Sequence, residues 1–261
     1  MTAQLLGKAP HLTLVARAGV GVDNIDLAAT GARGIRVVNS PGAASASVAE
    51  LTIGLYLDLL RGLYPAIAAT KAGRWERGTH GHELCGRTVG FVGYGRIARE
   101  VARRLVPFGA RSIAFDPFVA RTDDGTELRP LDDVLSSADI VSLHAAATPE
   151  NHHLIDARAL GRMKAGAYLV NVARGALVDE AALLAALTSG RLAGAALDVF
   201  ETEPPVHKEL IAHPRVLATP HVGASTEEAQ RRAGTEIVAE VLRALHGEPL
   251  TAMVAPAGGA R

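Results

Sequence analysis

Short apolar runs alternate with longer segments along most of the chain, and in the longer segments apolar residues recur every three or four positions. The short runs predict buried strands, and the periodic segments predict helices that turn one apolar face toward a sheet. Strict alternation of this kind indicates an α/β fold, in which helices cover both faces of a parallel sheet. Strands are expected at 89–92, 112–115, 140–143, 167–171, 193–199 and 216–218, and helices at 97–108, 131–138, 156–163, 179–189 and 226–246.

The first 63 residues follow the same pattern on a smaller scale. A short helix and a loop are expected at 1–11, strands at 12–16 and 35–38, and helices at 26–33 and 45–63. The last helix is apolar on almost every side between Val48 and Leu60, so more than one of its faces should be buried. Two interpretations stay open: contact with a second copy of the chain, or a position between two domains. The polar, glycine-rich residues 71–86 predict a surface arm anchored by Trp75.

A glycine-rich turn separates the strand at 89–92 from the helix after it. The turn reads Gly93-Tyr94-Gly95, and the next strand ends in Asp116, which lies 21 positions after Gly95. Gly93 permits a tight turn, Gly95 lets the backbone approach a pyrophosphate, and the helix offers its first amides to phosphates. An acid at the end of the second strand is placed to accept hydrogen bonds from ribose hydroxyls. The pattern predicts dinucleotide binding in a Rossmann-type, doubly wound sheet; a tight turn without a ligand leaves Asp116 unexplained.

Length and composition narrow the class of protein. The 261 residues are enough for one large or two modest domains. Lysine plus arginine equals aspartate plus glutamate at 27 each, so no overall charge favours nucleic acid or a membrane surface. Cys85 is the only cysteine, no leader pattern or membrane-spanning apolar stretch is visible, and the ten histidines lack metal-ligand spacing. We expect a soluble cytoplasmic protein without a metal site.

Arg174, Glu203 and His221 each follow a different expected strand, at the sheet edge where α/β proteins place their sites. An arginine holds a carboxylate bidentately, and imidazole exchanges protons with an alcohol oxygen near neutral pH. A glutamate beside the imidazole fixes its tautomer and favours its charged form. Taken singly, these residues are also explained as a surface ion pair, a cap or a packing residue. Beside a dinucleotide site they suit the oxidation of a 2-hydroxy acid, while His144 is interpreted as structural or cofactor-adjacent.

A second glycine-rich turn, Gly19–Asn24, follows the strand expected at 12–16. Free backbone amides in such a turn bind anions, and the alternative is an ordinary strand–helix turn capped by Asp23 or Asn24. The residues alone favour the ordinary turn.

Five segments, taken together, resemble the D-isomer-specific 2-hydroxyacid dehydrogenases, and most closely the D-3-phosphoglycerate dehydrogenase branch. They extend over nearly the whole chain, and the last three are highly specific. The segments are RAGVGVDNID (17–26), TVGFVGYGRIAREVA (88–102), NVARGALVDEAAL (171–183), GAALDVFETEPP (194–205) and TPHVGASTEEAQ (219–230).

The resemblance implies a role for each candidate residue. Arg174 binds substrate, Glu203 supports the histidine, and His221 is the acid/base. Substrate contacts are also implied for Arg17, Val20 and Gly21, which reverses the preference for an ordinary turn at 19–24. Cofactor contacts are implied for Gly93, Gly95, Arg96, Ile97, Asp116, Ala173, Asp198 and Gly223.

The resemblance also implies two domains and a homodimer. An incomplete flavodoxin-like substrate domain is expected in residues 1–47 and 240–261, and an NAD-binding Rossmann domain with the dimerisation helix and arm in 48–239. Ala44 stands where phosphoglycerate-type members usually have asparagine, and Ala145-Ala146 where a Thr-Pro pair is common. We therefore expect an NAD-dependent oxidoreductase for a D-2-hydroxy acid, with 3-phosphoglycerate among the candidates. The alternative is a non-catalytic NAD-binding dimer, such as a sensor or co-repressor-like module.

Overall fold

The computed structural model describes residues 1–77 and 80–254, which form two compact units. One unit is 48–223; the other joins 1–47 to the described residues from 224 onward. The sequence prediction divides the chain at 47/48 and 239/240, and the compact units divide it at 47/48 and 223/224. The later division lies before the helix Glu227–His246, which is continuous over 20 residues.

The smaller unit contains a two-stranded parallel sheet and the long C-terminal helix. The last described residues extend this sheet, because the amide of Val254 donates to the carbonyl of Val37 at 2.8 Å and Met253 pairs with Val38 in antiparallel fashion. Its elements are α1 (Ala3–Gly7), β1 (Leu14–Arg17), α2 (Leu27–Ala32), β2 (Arg36–Asn39) and α10 (Glu227–His246).

The larger unit is built on a seven-stranded sheet in which all neighbouring strands pair in parallel. The strands are β3 (Thr88–Val92), β4 (Arg111–Phe115), β5 (Glu127–Leu128), β6 (Ile140–Leu143), β7 (Ala167–Asn171), β8 (Leu192–Leu197) and β9 (Val216–Ala218). Their order is β5-β4-β3-β6-β7-β8-β9, so the chain starts in the interior, runs to one edge, and returns to fill the other side. The direction changes between β3 and β6, where sheets of this kind bind ligands outside the carboxyl ends of their strands. The predicted Rossmann-type fold is confirmed.

Helices connect the strands, and polar caps fix where several of them begin. The side chains of Asp156 and Asp179 accept hydrogen bonds from the amides of Ala159 and Ala182, three residues into the next helix. The helices are α3 (Ser45–Arg61), α4 (Leu63–Lys71), α5 (Arg96–Leu105), α6 (Leu131–Ser137), α7 (Ala157–Arg162), α8 (Glu180–Thr188) and α9 (Lys208–Ala212).

Three elements, α4, β5 and α9, are absent from the sequence prediction, and the helix expected to reach residue 63 ends at Arg61. The helix ends because Gly62 adopts a left-handed conformation, with φ of 59°, and α4 then leaves at an angle of 70°. β5 has two residues, too few to show any periodicity. The other predicted bounds differ from the observed ones by no more than three residues.

The apolar helix α3 is covered only in part by its own chain. Ile53, Tyr56 and Leu60 are buried, whereas Leu57 and Leu59 on the remaining surface are half-buried. No single helix in the described chain has the length and apolar character to cross a membrane; α3 and α4 reach that composition only as a bent pair.

The segment expected to be a surface arm, 71–86, has no helix or strand in its described part beyond Lys71, and residues 78 and 79 lie outside the described residues. The Trp75 side chain is 82% exposed, so an anchoring role for it requires a second molecule.

Candidate active site

The glycine turn after β3 is shaped by its close approach to the loop after β6. Gly93 has φ of 87°, and a Cβ atom there would lie 2.6 Å from the amide nitrogen of Ala145. Only glycine suits both the conformation and the spacing. At Gly95 the Cβ position has no protein atom within 4 Å among the described residues, which leaves room for a ligand. No described side chain caps α5, so the amides around Arg96 and Ile97 are suited to phosphate oxygens.

Asp116 lies beside this turn, as its spacing predicts. Its Oδ2 accepts a hydrogen bond from the amide of Tyr94 at 2.7 Å, and its Oδ1 accepts one from the amide of Phe118 at 2.9 Å. These bonds orient the carboxylate next to the turn, where it can receive ribose hydroxyls. The glycine turn, the uncapped helix and the oriented acid together fit the adenosine and pyrophosphate of NAD.

His144, after β6, is held by contacts with neighbouring side chains. Its Nε2 lies 2.8 Å from the hydroxyl of Ser142, its ring packs 5.6 Å from that of Phe91, and its Nδ1 is buried without a partner among the described residues. Part of the residue still reaches the surface. Burial of the ring lowers the pKa of His144 to about 3, so its imidazole is neutral near pH 7.

The loop that carries Arg174 is held by a buried asparagine. The Asn171 side chain donates to the carbonyl of Arg174 at 2.9 Å and accepts from the amide of Ala173 at 3.0 Å. Arg174 in turn donates to the carbonyl of Ala173 at 2.7 Å. Sequence reasoning includes Asn171 only as part of a motif, because its role depends on a loop conformation that the spacing does not reveal.

Asp198 organises the loop that carries His221. This buried carboxylate accepts hydrogen bonds from the Thr219 hydroxyl at 2.6 Å, the Val222 amide at 2.8 Å and the Gly223 amide at 2.9 Å. The family resemblance implies cofactor contacts for Asp198 and Gly223. In the structure the two residues are hydrogen-bonded to each other and stabilise the loop that carries His221.

Glu203 and His221 meet as predicted. Nδ1 of His221 lies 2.8 Å from Oε2 of Glu203, while the other oxygen of Glu203 accepts from the Phe200 amide at 3.2 Å. The backbone of His221 has φ of 54°, a conformation uncommon outside glycine that is typical of functional positions. With Nδ1 engaged and the side chain 51% exposed, Nε2 is left for a substrate. Arg174 follows β7, two strands from β9, at the same edge of the sheet.

The predicted substrate residues lie in the smaller unit: Arg17 is the last residue of β1, and Val20 and Gly21 lie in the loop after it. Arg17 donates to the carbonyl of Gly21 at 3.3 Å, and Asn39 donates to the carbonyl of Val20 at 2.7 Å. The bonds described for this loop therefore use the carbonyl oxygens of Val20 and Gly21 rather than their amides. Within residues 1–77 and 80–254, no cluster of three or more histidine, cysteine, aspartate or glutamate residues could hold a metal ion.

Comparisons with known proteins agree with this fold and with a dinucleotide-binding site. Residues 53–223 match the family model described as "D-isomer specific 2-hydroxyacid dehydrogenase, NAD binding domain". A hydroxypyruvate reductase from Thermotoga maritima is 43% identical over 94% of this chain and 81% of its own length. A D-3-phosphoglycerate dehydrogenase from Mycobacterium tuberculosis is 48% identical over 98% of this chain, which spans only 49% of that protein.

Among solved structures, an NAD-dependent formate dehydrogenase from Staphylococcus aureus in complex with NAD superposes with a TM-score of 0.91 at 37% identity, over 99% of this chain and 80% of the other. The matched region contains the glycine turn, Asp116 and the Arg174, Glu203 and His221 loops in one unit. The chain therefore belongs to the D-isomer specific 2-hydroxyacid dehydrogenase family, and residues 53–223 are its NAD-binding domain.

Proposed function

We propose that this chain interconverts a D-2-hydroxy acid and the corresponding 2-oxo acid, with NAD as the redox cofactor. The observation that carries the proposal is the 2.8 Å contact between Nδ1 of His221 and Glu203, which leaves Nε2 for a substrate hydroxyl. Membership of the family supports the reaction class, and the NAD complex of the Staphylococcus aureus protein supports the cofactor.

Each polar group in the site has a task in this reaction. Bound NAD supplies the acceptor for the hydride that leaves C2 of the hydroxy acid. Nε2 of His221 takes the proton of the C2 hydroxyl, and Glu203 stabilises the imidazolium that results. Arg174 pairs with the substrate carboxylate, for which its planar guanidinium has the matching geometry. We assign the amides of Val20 and Gly21 to substrate binding, and the smaller unit to the substrate domain.

We propose a three-carbon acid as substrate, with 3-phosphoglycerate as one candidate. The names of the two relatives, hydroxypyruvate reductase and D-3-phosphoglycerate dehydrogenase, support this size of substrate. Arg17 is exposed at the end of β1, and we assign it to a distal phosphate.

The test is oxidation of NADH by the purified chain with hydroxypyruvate, glyoxylate, pyruvate and 3-phosphohydroxypyruvate in turn. Wild type should turn over at least one of them, and His221→Asn should lose roughly 10²- to 10⁴-fold in kcat while its NADH Kd stays the same. His246→Asn, at the exposed end of α10, is the matched control. NADH binding without turnover of any 2-oxo acid favours the non-catalytic dimer instead.

We further propose that the chain forms a homodimer through α3 and α4 and resides in the cytoplasm. Leu63, Tyr64 and Ile67 of α4 are 44%, 64% and 53% exposed, and Trp75 follows them. Apolar surface of this kind is typical of an interface. The mass in solution from light scattering tests the proposal: Ile67→Glu should convert a dimer to a monomer, whereas Val238→Glu on exposed α10 should not.

A further inference from the structure

Tyr94, the middle residue of the glycine turn, has an environment that dinucleotide binding alone does not explain. The Tyr94 side chain is completely buried, and its ring packs 5.8 Å from that of Phe91. It cannot touch a cofactor, so any effect of Tyr94 on binding must act through other residues.

The buried hydroxyl of Tyr94 is fully paired. It lies 2.6 Å from Oδ2 of Asp124 and 2.6 Å from the Thr126 hydroxyl, both in the loop before β5. Burial raises the pKa of the Tyr94 phenol, so the hydroxyl keeps its proton and donates it to Asp124. Burial also raises the pKa of Asp124, but the hydrogen bonds from Tyr94 and Thr126 outweigh it and hold that pKa below its ordinary value. Thr126 must then donate its own proton to the Tyr94 oxygen.

A cation also contacts the Tyr94 ring. The guanidinium of Arg99, in α5, lies 5.0 Å from the centre of the Tyr94 ring and pairs with Asp123 at 3.0 Å. The Tyr94 side chain is therefore tied both to α5 and to the loop at 123–126. Such networks of buried hydrogen bonds restrict their members to one arrangement.

The backbone of the same residue reaches the cofactor side of the turn, because the amide of Tyr94 is the donor to Oδ2 of Asp116 at 2.7 Å. We propose that Tyr94 is a positioning residue for cofactor selection: its buried hydroxyl, held by Asp124 and Thr126, fixes the turn whose amide orients Asp116. This inference rests on the proposed use of NAD. Asp116 favours NAD over NADP only if its carboxylate is held where the 2′-phosphate of NADP would lie.

The test compares the Kd values of NADH and NADPH, by fluorescence titration, for wild type, Tyr94→Phe and Thr126→Val. Both variants keep the packing volume and remove one member of the network. The expected result is an NADH Kd raised roughly three- to tenfold with a smaller rise for NADPH, so that the NADPH/NADH ratio of Kd values falls. Tyr168→Phe, which removes a half-buried hydroxyl on β7, is the control and should leave both Kd values unchanged.

Three outcomes overturn the proposal. An unchanged NADH Kd in both variants means that the network does not act on the cofactor. Equal losses for NADH and NADPH, together with a lower melting temperature, mean that Tyr94 only stabilises the fold. Wild type that does not bind NADH overturns this inference and the proposed function together, whereas wild type that binds NADH but reduces no 2-oxo acid overturns the proposed function alone.

Discussion

Gly175 approaches the backbone of Phe200 so closely that a Cβ atom at position 175 would lie 1.8 Å from the Phe200 carbonyl carbon. This contact joins the loop after β7, which carries Arg174, to the loop after β8, which carries Glu203. It explains how two loops that follow different strands present their side chains at one edge of the sheet. Glycine is required at position 175 because of this close spacing and not because of its backbone conformation, since the φ of Gly175 is not positive.

Gly175→Ala should therefore lower catalytic activity by shifting these two loops, although the added methyl group does not enter the active site. No soft side chain can give way, because the atoms that the methyl group would meet are backbone atoms of Phe200 and Glu201. We expect at least a tenfold loss of kcat/KM and a lower melting temperature. Gly161→Ala is the matched control, because Gly161 lies in α7 with no described atom within 4 Å of its Cβ position. This variant should keep the wild-type kcat/KM and should not lower the melting temperature. Wild-type kinetics in Gly175→Ala would contradict the role of this contact.

Glu203→Gln tests the orienting carboxylate next to His221. The amide keeps the shape of the side chain but removes the charge that stabilises the imidazolium. We expect kcat to fall by about 10²-fold while the NADH Kd stays within a factor of two. Glu209→Gln, on the exposed side of α9, should leave both constants unchanged. An equal loss in kcat and in NADH affinity would show that Glu203 supports the fold and not the proton transfer.

The sequence predicts the parts of this site that depend on local patterns. Gly93, Gly95 and Asp116 are visible because a glycine turn and an acid at fixed spacing follow directly from the backbone geometry that a pyrophosphate requires. The Glu203–His221 contact follows from residues at the ends of adjacent parallel strands. The sheet is predicted well because each of its longer strands consists mostly of apolar residues.

What the sequence does not reveal depends on contacts between distant loops. Tyr94 and Asp124 are 30 positions apart, and Asp124 lies in a polar loop without periodicity, so their hydrogen bond has no local signal. The spacing requirement at Gly175 likewise depends on a neighbour 25 positions away. The sequence also leaves open which compact unit α10 belongs to, because an amphipathic pattern shows where a helix lies but not which core it covers.

Asp116→Ser should relax the choice between the two nicotinamide cofactors. Serine removes the negative charge that would repel the 2′-phosphate of NADP and retains one hydroxyl for the ribose. We expect the NADPH Kd to fall and the NADH Kd to rise, so that their ratio moves by at least tenfold. Asp133→Ser, in the exposed first turn of α6, supplies the control for the loss of one surface charge. An unchanged ratio would exclude Asp116 from the cofactor site.

Glu240→Gln should destabilise the smaller unit. The buried Glu240 carboxylate accepts hydrogen bonds from the Thr251 amide at 2.9 Å, the Thr251 hydroxyl and the Ala252 amide at 3.2 Å, and so holds the C-terminal segment beside β2. An amide nitrogen cannot accept any of these bonds, so one donor loses its partner, at a cost of about 1–3 kcal/mol in the free energy of unfolding. Urea denaturation measures the loss, and Glu228→Gln on the exposed side of α10 should change it by only a few tenths of a kcal/mol.

His144 should make stability depend on pH in a predictable direction. Burial lowers the pKa of His144 to about 3 in the folded protein, whereas an imidazole in the unfolded chain titrates near 6.5. Below about pH 6.5 the imidazole of His144 is protonated in the unfolded chain but stays neutral in the folded protein. The contribution of His144 to the free energy of unfolding is therefore complete above that pH and is lost as the pH falls toward 3.

The expected slope from this one group is at most about 1.4 kcal/mol per pH unit. In His144→Gln the difference in the free energy of unfolding between pH 7 and pH 4.5 should therefore be smaller than in wild type, by up to roughly 2.7 kcal/mol. Other titrating groups are common to both proteins and cancel in the comparison. His246→Gln, at an exposed position, should keep the wild-type difference. If His144→Gln and wild type lose stability equally on acidification, then His144 is protonated in the folded state and its ring is not shielded from water.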